Sequence, residues 1–154
     1  MALVVRPSMI HATGCYTTAP IAEGTFIVEY TGPRLTAEEA EAQYADQEET
    51  YLFGLDDGKH VIDGFGEAAF INHSCDPNCE TDEIEGRVWI IAARDIAAGE
   101  ELSYDYNLYD GELDDDQPCL CGATNCRGTL WGEDELARRA RLAQRAASLT
   151  TPGW

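Results

Sequence analysis

Turn dipeptides limit what this chain can fold into more than any other feature. Asp57-Gly58 parts residues 51–56 from 59–63, Glu85-Gly86 parts 81–84 from 87–92, and Ala98-Gly99 precedes 101–106. Tight hairpin turns need positive φ, which glycine accepts without steric conflict. The intervening segments are rich in β-branched and aromatic residues, as is 25–31 ahead of Gly32-Pro33, and each reads as a strand. Successive strands lie too close together for helical crossovers, so the sheets are expected to be largely antiparallel or irregular. At 154 residues the chain has the size of one ordinary domain. The expectation is a mainly-β protein.

Two helices interrupt this pattern. Thr36-Ala-Glu-Glu39 is a capping box that predicts a short internal helix to about Asp46. Near the C-terminus, Glu133-Asp-Glu135 precedes Arg138, Arg139, Arg141 and Arg145, an order of acid then base that complements a helix dipole. Its apolar face is modest: Leu136, Ala140, Leu142 and Ala143. Neither an internal repeat nor a domain linker is apparent.

Charge narrows the choice of partner. Asp and Glu number 29 against 10 Lys and Arg, a formal net charge of -19. Such a field opposes direct binding to nucleic acid and favours basic proteins or peptides. The densest acidic run, Asp110 to Asp116, reads as a solvated loop. Lys59 is the only lysine. No apolar run approaches the roughly eighteen residues of a membrane span. Residues 1–8 hold one arginine and a short apolar patch, too little for a secretory signal. The expected location is cytoplasmic, with export to a host cell and action on chromatin as the alternative.

Three constellations carry chemistry. The six cysteines are Cys15, Cys75, Cys79, Cys119, Cys121 and Cys126. Without a secretory signal, and with three of them clustered, metal ligation is a better reading than disulfides. Cys119-Leu-Cys121-Gly-Ala-Thr-Asn-Cys126 offers three thiols to a zinc ion, which takes four soft ligands in a tetrahedron. On these grounds the fourth is Cys75, Cys79 or Cys15. In the second constellation, the apolar pair Phe70-Ile71 enters the polar run Asn72-His-Ser-Cys-Asp-Pro-Asn78. That pattern reads as buried backbone leading into a site, although His73 alone fits a hydrogen-bonded core histidine. The third is Tyr30, Tyr51, Tyr104 and Tyr106, a set able to line a channel for an alkylammonium or a lysine stem. Taken singly, such strand tyrosines serve equally well as core.

In combination these motifs resemble one family. Asn72-His-Ser-Cys-Asp-Pro-Asn78, Gly99-Glu-Glu-Leu-Ser-Tyr-Asp-Tyr106 and the Cys119, Cys121, Cys126 spacing look like the ordered signature of SET-domain protein-lysine methyltransferases with a post-SET zinc segment. His11-Ala-Thr-Gly-Cys-Tyr16 resembles the family's cofactor loop, Glu29-Tyr-Thr-Gly32 its next strand, and Tyr51-Leu-Phe53 the strand lining the lysine channel. The resemblance covers residues from about 10 to 131, and the short frame is similar to bacterial members. Ala12 replaces the first glycine of the cofactor loop, and Ala69 stands where relatives often carry arginine.

The resemblance implies a β-clip-like fold of small curled sheets with a pseudoknot near the active site. It implies a SET domain over 1–115, a post-SET zinc segment over 116–132, and a C-terminal helix and tail over 133–154. S-adenosyl-L-methionine would be held by Thr13, Gly14, Cys15, Tyr51, Asn72, His73, Gln117 and Trp131. Zinc would be held by Cys75, Cys119, Cys121 and Cys126. Tyr106 would be the catalytic tyrosine, assisted by Tyr51 and Tyr104, with Tyr104 limiting the product to mono- or dimethyl-lysine. The implied activity is lysine methylation in a basic protein, a histone tail or another. The alternative is a catalytically silent zinc module that binds basic tails.

Overall fold

The computed structural model describes residues 2–45, 52–108 and 117–150. Strand β1 (Leu3–Pro7) pairs antiparallel with β2 (Thr13–Thr17). β3 (Phe26–Tyr30) is followed by β4 (Arg34–Thr36), then by α1 (Ala37–Tyr44). β5 (Leu52–Gly54) and β6 (His60–Asp63) form the hairpin expected around Asp57-Gly58, and β4 adds to it in the order β4–β6–β5. A 3-10 helix (Glu67–Phe70) leads into the two-residue strand β7 (Asn72–His73). β8 (Cys79–Ile84) and β9 (Arg87–Ala92) make the second expected hairpin, completed by β3 in the order β3–β9–β8. β10 (Ser103–Tyr104) and α2 (Glu133–Thr150) complete the set.

Local chemistry accounts for the elements that were foreseen. The Asp57 carboxylate accepts the backbone N–H groups of Lys59 and His60 at 2.8 and 3.0 Å, closing the β5–β6 turn. Glu85 and Gly86 both take positive φ, 52° and 78°, the conformation that matches a two-residue turn to the strand twist. At α1 both halves of the capping box form: the Thr36 hydroxyl accepts from the Glu39 amide, and Glu39 reaches back to Thr36. The helix stops at Tyr44, two residues short of expectation, where the Tyr44 hydroxyl bonds to Asp63.

The stretch 101–106 departs from a simple strand. Only Ser103 and Tyr104 enter a ladder, and they pair in parallel with Asn72 and His73. Among the described strands, this is the parallel pair in an otherwise antiparallel set. Glu101 bridges Tyr16 instead, and Asn107 turns the chain away with φ of 48°. Asn78 stabilises the junction from inside. Its side chain donates to the Glu101 carbonyl and accepts from the Ser103 amide, both at 2.9 Å.

The core lies between the sheets, around Ile71, Val88, Ile90, Ile96 and Leu102. Each buried aliphatic side chain of this size stabilises the fold by roughly 1.5–3 kcal/mol. Cys15 and Cys79 belong to that core and act there as small apolar groups. Among the described residues, no helix is long and apolar enough to cross a membrane.

Candidate active site

β7, β10 and the loop before β2 converge on a cleft of about 1140 Å3. Its wall brings together Thr13, Asn72, His73, Tyr104, Tyr106 and Gln117 from the sequence-derived set. Gly14, Cys15 and Trp131 do not line it, and Tyr51 is outside the described residues.

Asn72 is buried, and its Nδ2 lies 2.9 Å from Glu101 Oε2 and 3.1 Å from the Thr13 carbonyl. The His11 carbonyl and the Ser8 hydroxyl are each 3.2 Å away. A carboxylate and two carbonyls can only accept, so the amide must aim its nitrogen at this group. Ser8 donates to Glu101 at 2.8 Å, which ties the end of β1 to the same carboxylate. Gly14 is crowded where it stands, because a Cβ there would clash with the Glu101 carboxylate. Ala12 sits at φ of 30°, a left-handed conformation in which an alanine is strained.

His73 is 2% exposed, and burial depresses its pKa to about 4. It is therefore neutral at neutral pH. Nδ1 accepts the Tyr106 backbone N–H at 3.0 Å, which leaves Nε2 to carry the proton towards Cys75 Sγ at 3.3 Å. Tyr106 packs edge-on against the His73 ring and donates its hydroxyl to the Ile71 carbonyl at 2.6 Å. An aromatic series then runs from Tyr106 through Tyr104 and Phe53 to Tyr30, with centroid separations of 4.9, 6.2 and 5.2 Å. Burial, then the neighbouring Tyr106 and Tyr30, push the Tyr104 pKa well above its ordinary value, so the phenol stays neutral. Asp56, Asp82 and Glu83 also line the cleft and make part of it negative.

The sulfur atoms of Cys75, Cys119, Cys121 and Cys126 all lie within 4.8 Å of one another. A tetrahedral zinc with Zn–S of about 2.3 Å places its sulfurs about 3.8 Å apart, and Cys75 and Cys119 are at 3.9 Å. The donor set therefore fits such an ion. Packing brings Cys75 to the trio, while Cys15 and Cys79 stay in the core. Burial pushes the Cys15 thiol up to about 12 and Cys79 to about 11. Cys15 thus turns its side chain into the core, leaving its backbone on β2. Trp131 is 6% exposed, with the Arg139 guanidinium 3.9 Å from its ring centroid. Gln117 uses its backbone carbonyl to accept from the Leu130 amide.

Sequence reasoning missed four residues of this region. Glu101 and Asp105 both lay inside the motif that runs from Gly99 to Tyr106, which was a usable signal. Ser8 and Arg127 carried none.

This architecture has known counterparts. The SET domain family model matches residues 12–107, and the chain belongs to the SET-domain family. It is 44% identical over 137 residues to an H3 lysine-4 specific histone-lysine N-methyltransferase of Eremothecium gossypii, covering 80% of this chain and 14% of that protein. It is 39% identical over 136 residues to histone-lysine N-methyltransferase ash1 of Drosophila melanogaster, covering 81% and 6%. To histone-lysine N-methyltransferase ATXR7 of Arabidopsis thaliana it is 39% identical over 157 residues, covering 91% and 11%. The matched region is thus a small fraction of each relative's length.

Proposed function

We propose that this chain is a protein-lysine methyltransferase that acts on basic proteins, histone tails among them. The carrying observation is convergence: the loop at 11–13, the Asn72-His73 strand and the tyrosines of 104–106 meet in one cleft beside a four-thiol cluster. The names of the relatives support the same activity and substrate class. S-adenosyl-L-methionine, bound against Thr13, Asn72, His73 and Gln117, supplies an electrophilic methyl group.

The chain's own residues then have three tasks. The aromatic series excludes water and holds a lysine stem by apolar contact and cation–π attraction. The Tyr106 hydroxyl and the Ile71 carbonyl, already bonded to each other, orient the amine and face the charge that develops on it. Desolvation in the cleft lowers the amine's pKa, so its proton leaves to water and no strong base is needed. A negative cleft in a chain of charge -19 favours a basic peptide.

Cys75, Cys119, Cys121 and Cys126 would hold zinc, which would tie the post-SET segment to the loop that bears Asn72 and His73. Tyr104 confines the amine, so the product is mainly monomethyl-lysine with some dimethyl-lysine.

The test is incubation of zinc-replete protein with labelled S-adenosyl-L-methionine and a panel of histones and other basic proteins. Label on lysine, resolved as mono- or dimethyl by mass spectrometry, is expected. Cofactor binding without transfer to any of them would favour the silent tail-binding module instead. Abundant trimethyl-lysine would refute the role given to Tyr104.

A further inference from the structure

The four-cysteine cluster reaches the tyrosine strand by two routes. The first is Cys75 Sγ to His73 to the Tyr106 amide. The second begins at Arg127, which follows Cys126 and donates its backbone N–H to Cys75 Sγ at 3.3 Å. Its guanidinium then grips both oxygens of Asp105, at 2.9 and 3.0 Å, and Asp105 lies between Tyr104 and Tyr106. A two-point, charge-assisted contact of this kind fixes direction as well as distance. Burial works against the Asp105 carboxylate, yet the hydrogen bonds from Arg127 and the Asn107 amide, together with the charges nearby, outweigh it and lower its pKa.

The position needs such a contact. Tyr104 is the last residue paired in the ladder with β7, and the chain turns at Asn107. Tyr106 therefore sits on a short segment beyond the sheet. The Asp105 carboxylate also accepts the Asn107 amide at 2.9 Å, so the fork from Arg127 braces both sides of Tyr106.

We propose that Arg127 and Asp105 form a positioning pair that holds the Tyr106 hydroxyl at its working place and couples the cysteine cluster to turnover. The proposal rests on the methyltransferase and zinc reading above. It differs from a role in cofactor binding, because the Asn72 amide is anchored separately by Glu101, Thr13 and His11.

Asp105→Asn and Arg127→Lys are the test variants, made in the full chain and checked for folding by thermal melting. Asparagine loses the charge, whereas lysine keeps it without the fork. A displacement of about 1 Å at a reacting group can lower a rate about a hundredfold. Both variants should therefore lose about 10- to 100-fold in kcat, with the KM for S-adenosyl-L-methionine within about twofold of the parent. Asp105→Glu, which can rebuild the fork, should recover part of the loss.

The same fork holds the Arg127 backbone against Cys75, so zinc should also pass to a chelator faster from Asp105→Asn than from the parent. That measurement needs no turnover. Folded variants with parental kcat, or with parental zinc release, overturn the proposal. Parent protein that holds zinc but transfers no methyl group defeats the methyltransferase reading, and zinc release alone then decides the coupling. Parent protein that takes up no zinc overturns both.

Discussion

Tyr106 donates its hydroxyl to the Ile71 carbonyl and its amide to His73, so both ends of the residue are fixed before any substrate arrives. Tyr106→Phe keeps the ring and its packing and removes one oxygen from the place where, in the proposed reaction, charge would develop. The expected result is a fall in kcat of about 100- to 1000-fold with cofactor affinity within about twofold, read by steady-state kinetics and calorimetry. Near-normal turnover would make Tyr106 a packing residue. Gly14 tests the packing around Glu101. A methyl group there must displace a Glu101 carboxylate already bonded to Ser8 and Asn72. Gly14→Ala should destabilise the protein by about 1–3 kcal/mol in urea unfolding. Unchanged stability would mean that Glu101 yields without loss.

At the scale of the elements, the β5–β6 hairpin and the cysteine cluster make separate predictions. Backbone N–H donation from Lys59, with the His60 side chain next, holds the Asp57 pKa down at about 2 against an ordinary 3.8. A depressed carboxylate pKa means that the stabilisation is fully present above about 3.8 and is lost as pH falls through about 2. An NMR titration of the Asp57 carboxyl carbon should therefore give a midpoint near 2; a midpoint at the ordinary value would show that the turn is not held this way. The cluster separates from the core by reactivity, since alkylation needs a thiolate. In the folded, zinc-loaded protein iodoacetamide should modify neither Cys15 nor Cys79, whose buried thiols resist ionisation. Chelation should expose Cys75, Cys119, Cys121 and Cys126 to the reagent first, as peptide mapping would record. Early labelling of Cys15 would contradict its place in the core.

For the whole molecule, a net charge of -19 makes association with a basic peptide depend on ionic strength. Raising salt from roughly 0.05 to 0.5 M shortens the screening length severalfold and should weaken peptide binding by about tenfold. A salt-independent Kd would leave recognition to the channel alone. Any label the protein acquires from cofactor without substrate should sit on the exposed Lys59, the only lysine, or on the N-terminal amine, and on no arginine; mass spectrometry would decide this.

By itself the sequence determined the features whose cause lies within a few residues. These are the Asp57-Gly58 and Glu85-Gly86 hairpins, the Thr36 capping box, the arginine-bearing C-terminal helix and the cysteine trio. The order of its motifs also carried the family. Cysteine spacing left Cys15, Cys75 and Cys79 open and the family resemblance pointed to Cys75, which the tertiary structure brings to the trio; only the tertiary structure decided that 103–104 pairs in parallel with 72–73. It alone joined Ser8 to Glu101 and Arg127 to Asp105. Turn and cap preferences are local properties of the backbone, readable from neighbouring residue types. Contacts between residues far apart in the chain exist only where the folded layers close on one another, and no short-range pattern encodes them.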